Sequence, residues 1–331
     1  MRCAVIGAGA WGTALADLLS ESGQIVRIWA YEEDVVLSIN ERHENPRFLS
    51  GAKLDAALVA THDQEEAVRG ASIVVYATPS NHLRAIARAA ARCVGDAAIL
   101  AVATKGIELG TLALMTDVVA AEIPGREVVA LSGPSFAAEV AARQPTAVVA
   151  ASTSLSAAVS VQELLSNRTF RVYTHDDVVG VELGGALKNV MAVATGILEG
   201  VGLGFNARAA LMTRGLAEMT RLGTSLGAQA ATFAGLAGLG DLVLTCTGTL
   251  SRNRALGVEI GKGRTLEEAR AGRETVAEGV VTTASAVELA AREGIEMPIA
   301  EMVYRILFDG HPAKLAASEL MARELRSEQD E

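Results

Sequence analysis

Only three cysteines occur among the 331 residues of this chain. Cys3, Cys93 and Cys246 are too widely spaced for a metal-ligand pattern or a disulfide framework, so a reduced, cytoplasmic setting is expected. Basic residues are also few: 29 Lys and Arg stand against 39 Asp and Glu, a net charge of −10 with no basic block. Nucleic acid is therefore not an expected partner, because binding it needs clustered cations. No metal cluster appears among the five histidines. The serine segment "LSGPSFAAE" is not GxSxG and lacks an evident base. An export leader is not expected either. The apolar run Cys3 to Ile6 is about half the shortest h-region such a leader needs, and glycines follow it.

One segment, Val178 to Phe205, is long and apolar enough to span a bilayer. It also contains Glu182, Lys188, Asn189 and Glu199, each costly in lipid. A helix buried in a large core is expected there, no other segment is expected to span, and no stable membrane insertion follows.

What is present is an ordinary globular composition, half apolar and 21% charged, in a chain long enough for two domains. Strand-like runs occur at Arg2–Ile6, Ile25–Trp29, Ala57–Thr61, Ile73–Ala77, Ala98–Val102 and Val128–Leu131. Helical patterns such as Asn81–Cys93 and Leu112–Ala121 lie between most of them. Short apolar strands alternating with helices predict a parallel sheet covered on both faces. Two further strands, Ala147–Ala150 and Phe170–Tyr173, flank a helical segment at Ser154–Leu165 and would extend the sheet at one edge. From Val179 onward the pattern is helical with Gly and Ser turns. The fold class expected is α/β: an N-terminal Rossmann-type doubly wound sheet over 1–179 and an all-helical substrate-binding domain over 180–331. Ser327–Glu331 reads as a disordered tail.

The first strand runs into Gly7-Ala8-Gly9-Ala10-Trp11-Gly12, a GxGxxG turn opening a helix. In a dinucleotide fold the first glycine permits the turn and the second lets the backbone approach a pyrophosphate. The third lets helix and strand pack closely, and the helix N-terminus receives the anion. After the second strand comes Tyr31-Glu32-Glu33 with no arginine. Glu32 could hold ribose hydroxyls or act only as a helix N-terminal carboxylate, so the spacing favours NAD over NADP.

The few cations are placed tellingly. Lys105, in "AVATKGIE", follows a parallel strand at the carboxyl end where open α/β sheets bind ligands. Lys188, in "ELGGALKNVMAVATG", has only the small neighbours Gly184, Gly185, Ala192 and Thr195 at helical spacing. A buried lysine needs a carboxylate or a ligand, and desolvation would lower its pKa from about 10.4 towards the range of proton transfer at neutral pH. Ser251 caps a helix expected over Arg252–Ile260, whose first amides, with Arg252 and Asn253, would make a phosphate site. Asp241, in "GLAGLGDL", would bind a substrate hydroxyl, position Lys188, or simply cap a helix. A dinucleotide, a proton-transfer lysine and an anion site together suggest hydride transfer on a small phosphorylated or carboxylated alcohol.

The motifs "GAGAWGTAL", "NPRFL", "TKGIE", "LSGPSFAAEVA", "ELGGALKNVMAVATGI", "GLAGLGDLVLTCTG", "LSRNRALG" and "AEGVVT" extend the match from Met1 to about Leu320. In this order they resemble the bacterial NAD(P)-dependent glycerol-3-phosphate dehydrogenases. The resemblance implies a Rossmann domain, a helical C-terminal domain and a homodimer. It implies interconversion of sn-glycerol 3-phosphate and dihydroxyacetone phosphate, supplying the phospholipid backbone. By position, Lys188 would exchange the proton at the substrate oxygen. Lys105, Gly133, Ser135, Asp241, Ser251, Arg252 and Asn253 would contact substrate. Gly7, Gly9, Ala10, Trp11, Gly12, Tyr31, Lys105, Ala137, Arg252, Val276 and Glu278 would line the cofactor. Many relatives carry Arg where this chain has Tyr31, and "YATPS" at Tyr76–Ser80 replaces a "VPS" form. A 3-hydroxyacid dehydrogenase of similar architecture would usually carry Asn four residues after the lysine. Ala192 stands there instead. A non-catalytic nucleotide sensor would need the glycine loop alone, without Lys188, Asp241 and Ser251–Asn253 together.

Overall fold

The computed structural model describes residues 1–271, 277–325 and 327. Two compact units emerge: Met1–Lys105 with Ala113–Glu182, and Gly106–Leu112 with Leu183–Glu331. That Gly106–Leu112 groups with the second unit is a tertiary assignment that order along the chain does not supply.

The first unit holds eight strands: β1 (Arg2–Ile6), β2 (Ile25–Trp29), β3 (Val59–Thr61), β4 (Ile73–Tyr76), β5 (Ile99–Val102), β6 (Val128–Ser132), β7 (Thr146–Ala151) and β8 (Phe170–His175). Helices α1 (Ala10–Glu21), α2 (Glu33–Arg42), α3 (Gln64–Val68), α4 (Leu83–Ala90), α5 (Met115–Glu122), α6 (Ala137–Ala141) and α7 (Leu155–Leu165) connect them. The strands form one sheet in the order β3-β2-β1-β4-β5-β6-β7-β8, parallel throughout except for the β6–β7 pair. The order reverses at β1 and β4, and the glycine turn leaves β1 at that point. Alternation along β1 sends Cys3 and Val5 into the core with Leu15, Leu18 and Leu19 of α1. Ala4 and Ile6 join the opposite core with Leu83 and Met115.

Small differences from the expected boundaries have local causes. The third strand starts at Val59 rather than Ala57, because Asp55 closes a turn: its Oδ1 accepts the Ala57 N–H at 2.8 Å and its carbonyl the Leu58 N–H at 3.1 Å. The helix expected from Leu112 starts at Met115, since Leu112 has φ of +59° and cannot be helical. Over the expected Asn81–Cys93 helix, only Leu83–Ala90 is α-helical, with a 3₁₀ turn at either end.

The second unit carries α8 (Val178–Val201, from Leu183 on), α9 (Phe205–Ser225), α10 (Ala230–Phe233), α11 (Asp241–Thr247), α12 (Arg252–Gly261), α13 (Leu266–Arg270), α14 (Glu278–Glu293), α15 (Pro298–Phe308) and α16 (Ala313–Met321). A turn of π-helix, Leu236–Gly240, leads into α11. Helix α8 is 89% buried in its apolar window, as expected of a core helix, and ends where Gly202 adopts φ of +94°. The expectation that no other segment could span needs correction. Ala230–Thr247 is also long and apolar enough by length and composition. It is not one continuous α-helix, because Ala234 and Gly235 interrupt it, and it contains the fully buried Asp241. Of the expected tail, residues 328–331 lie outside the described residues.

Candidate active site

Each glycine of the turn has a distinct physical reason. Gly7 has φ of +114°, and a Cβ there would come within 2.7 Å of the Ala77 carbonyl oxygen. A Cβ on Gly12 would collide with the carbonyl of Gly7, so helix α1 sits against the turn only because residue 12 is glycine. Gly9, the N-cap of α1, would place a Cβ with nothing within 4 Å: the chain is bare there and open. Helix geometry leaves the first amides of α1, at Ala10, Trp11 and Gly12, without intrahelical acceptors. No acidic residue occupies the first turn of α1, and no side chain caps it. The Trp11 indole N–H is buried without a partner among the described residues. This donor-rich, carboxylate-free turn fits a dinucleotide pyrophosphate.

At the end of β2, Tyr31 is exposed, its ring centroid 6.3 Å from that of His62. Glu32 is the N-cap residue of α2 but makes no side-chain cap, and Glu33 and Asp34 follow in the first turn. One arginine absent from the local sequence is supplied by the fold: Arg47 approaches Asp34 at 3.3 Å. Ala137 opens α6, and its side chain, like those of Ala10 and Trp11, packs against the core that α1 helps to form.

Lys105, Gly133 and Ser135 are brought together by the neighbouring strands β5 and β6. The Gly133 carbonyl accepts from Lys105 Nζ at 3.1 Å and from Ser135 Oγ at 3.0 Å. Gly133 has φ of +137°, and a Cβ would meet Val148 Cα at 2.9 Å, so no other residue fits beneath the lysine.

In the second unit Lys188 is 8% exposed, and its Nζ donates to Asp241 Oδ1 at 2.5 Å and to Thr245 Oγ1 at 2.9 Å. The buried ammonium thus has its carboxylate. Asp241 is the first residue of α11, and Gly184, one turn before Lys188, makes the approach possible: a Cβ there would stand 2.5 Å from the Ala237 carbonyl oxygen. Thr245 was not evident from sequence. The available signal was its place one turn after Asp241 on the same helix. Cys246 beside it is buried, and burial pushes its thiol up to about 11, so it is not a nucleophile at neutral pH.

Helix α12 lies directly against α8. Gly196 and Gly200 of α8 meet Gly257 and Gly261 of α12 with no room for a Cβ on any of the four. Ser251 caps α12, its Oγ accepting the Arg254 N–H at 3.2 Å. Asn253 Nδ2 donates to Asn189 Oδ1 at 2.9 Å, and Asn253 Oδ1 accepts the Gly279 N–H at 3.0 Å. Asn253 therefore ties α8 to the start of α14, where Glu278 is the first residue, and much of its amide is committed within the protein. Arg252 alone of the expected phosphate trio is exposed. Arg254 is held by Glu199 at 2.7 Å. Val276, expected at the cofactor, lies outside the described residues.

The chain as a whole is similar to a known set of proteins. Residues 2–158 match the family model for the NAD-dependent glycerol-3-phosphate dehydrogenase N-terminus, and residues 177–318 the model for its C-terminus. Glycerol-3-phosphate dehydrogenase [NAD(P)+] of Geobacter sp. (strain M21) is 52% identical over 330 residues, covering 99% of this chain and 98% of that one. The protein of the same name from Geobacter sulfurreducens is 53% identical with the same coverage. The crystal structure of glycerol-3-phosphate dehydrogenase from Coxiella burnetii superposes with a TM-score of 0.94 at 41% identity, covering 97% of this chain and 99% of that chain. On both sequence and structure, this chain belongs to the NAD-dependent glycerol-3-phosphate dehydrogenase family.

Proposed function

We propose that the protein interconverts sn-glycerol 3-phosphate and dihydroxyacetone phosphate with NAD(P), chiefly reducing the ketone for glycerophospholipid synthesis. The observation that carries this reading is the buried Lys188 ammonium, held on Asp241 and Thr245 within a core helix. Such a group gives a proton to a developing alkoxide or takes it back from the alcohol. Asp241 aims the ammonium and balances its charge. The bound nicotinamide supplies or receives the hydride. Arg252, with the first amides of α12 and the remaining hydrogen-bonding capacity of Ser251 and Asn253, receives the substrate phosphate. That contact orients the substrate rather than reacting. Lys105, Gly133 and Ser135 form the other substrate contacts. Gly7, Gly9 and Gly12 admit the pyrophosphate to the start of α1, with Ala10, Trp11, Tyr31, Ala137 and Glu278 lining the rest of the cofactor.

NAD is the proposed preference. A 2′-phosphate near Tyr31 would face Glu32, Glu33 and Asp34, with Arg47 paired to the last of these. A homodimer in the cytoplasm belongs to the same proposal. The test is oxidation of NADH and of NADPH by dihydroxyacetone phosphate, followed spectrophotometrically. No oxidation of either by folded, nucleotide-bound protein would overturn the proposal. A faster rate with NADPH would overturn only the coenzyme preference.

A further inference from the structure

Asn45, in the "NPRFL" stretch, is fully buried. Its Nδ2 donates to the carbonyl oxygen of Ala8 at 2.9 Å and to Thr13 Oγ1 at 2.9 Å. The Thr13 hydroxyl donates in turn to the same Ala8 carbonyl at 3.2 Å, closing a triangle. Asn45 Oδ1 accepts the Phe48 N–H at 3.2 Å, and the Asn45 carbonyl accepts the Leu49 N–H at 2.8 Å. The amide can sit only one way round. Reversed, its oxygen would face the Ala8 oxygen and its N–H groups would face the Phe48 N–H.

Ala8 stands between Gly7 and Gly9, and Gly9 opens onto free space, which makes the brace useful. The Ala8 carbonyl and the Gly9 N–H belong to one trans peptide, so they point in opposite directions. Rotating that plane changes ψ of Ala8 and φ of Gly9, and glycine opposes such a rotation weakly. Two buried donors hold the carbonyl inward, and the Gly9 N–H is thereby turned away from Asn45. This happens at the residue whose missing side chain leaves open space.

We infer that Asn45 is a positioning residue for dinucleotide binding: through the Ala8 carbonyl, with Thr13 as its partner, it sets the peptide plane that presents the Gly9 N–H to the pyrophosphate. The inference rests on the NAD(P)-dependent reading and adds to it a residue outside the glycine motif.

The test uses the full-length protein and titrates NADH and NADPH directly, by Trp fluorescence or calorimetry, alongside steady-state kinetics. Asn45→Asp keeps the side-chain shape but removes both N–H donors and sets a carboxylate against the Ala8 oxygen. The dinucleotide Kd and KM should rise about tenfold or more, ~1.4 kcal/mol per tenfold. The loss should fall on these constants rather than on kcat, while KM for dihydroxyacetone phosphate stays within about twofold. Thr13→Val should weaken binding in the same direction and Thr13→Ser restore it, and this pair carries the test if Asn45→Asp does not fold. Unchanged dinucleotide Kd in folded Asn45→Asp or Thr13→Val would overturn the brace while leaving the dehydrogenase reading intact. A wild-type protein that binds neither NADH nor NADPH would overturn both.

Discussion

Gly184→Ala tests whether the contact between α8 and the π turn aligns Lys188 and Asp241, the pair proposed to handle the proton. The added Cβ would stand 2.5 Å from the Ala237 carbonyl oxygen, 0.9 Å short of the 3.4 Å at which ordinary contact begins. Both groups are backbone, so no side chain can swing aside. Overpacking of this kind costs ~1–3 kcal/mol, and replacing a helical glycine by alanine returns ~1 kcal/mol. The net stability loss is therefore ~0–2 kcal/mol, a shift of a few degrees in Tm for a protein of this size. Activity should suffer more. The turn that must retreat leads directly into Asp241, whose contact with Lys188 is 2.5 Å long. A displacement approaching 1 Å at a reacting group lowers kcat by up to ~10²-fold. The assay is kcat with saturating dihydroxyacetone phosphate and NADH, with thermal unfolding measured on the same samples. Gly204→Ala is the control, because its Cβ meets nothing within 4 Å and its φ is −79°. Full activity together with a raised Tm in Gly184→Ala would show helix propensity winning and would refute the alignment argument.

Lys188→Ala should lower kcat by ~10²–10⁴-fold while leaving NADH affinity nearly unchanged; equal loss of both, measured by calorimetry and turnover, would make the lysine structural. Arg252→Ala removes an exposed guanidinium, so Tm should hold while kcat/KM for dihydroxyacetone phosphate falls ~10–10²-fold; an unchanged kcat/KM removes Arg252 from the phosphate site. Two buried carboxylates predict a pH effect. Glu182 accepts the Thr116 N–H at 2.9 Å and Glu218 the Ile299 N–H at 2.7 Å, and burial pushes each up to about 7 from 4.5. A carboxyl whose pKa is raised on folding stabilises most below its unfolded value, and that stability is lost as pH rises through the folded value. Unfolding at pH 5.5–6 should therefore release up to two protons from these groups, and Glu218→Gln should flatten the decline in stability between about pH 4.5 and 7. Unfolding enthalpies that do not vary with buffer ionisation heat would contradict it.

Much of the first unit was legible because its signals are local. Strands β1 and β2 lie where runs of apolar residues placed them, and the three glycines announce a turn whose reasons the fold then displays one by one. Cap chemistry was legible too: Ser251 does cap α12. Other features were hidden because they depend on residues far apart in the chain. Thr245 joins Lys188 across 57 positions, Asn253 joins Asn189 across 64, and Asn45 reaches Ala8 across 37.

The chain alone therefore determined the class of fold, the place of the glycine turn and the identity of the unusual lysine. Periodicity, glycine spacing and the cost of burying an unpaired charge act within a few residues or on one side chain. Only the tertiary structure decided which carboxylate answers Lys188, that Asn253 is largely committed to Asn189 and Gly279, and that an arginine reaches the acidic start of α2. Hydrogen bonds have ranges near 3 Å, and which distant residues come that close is set by helix and sheet packing. In this protein that packing runs through glycines whose missing side chains let backbones touch.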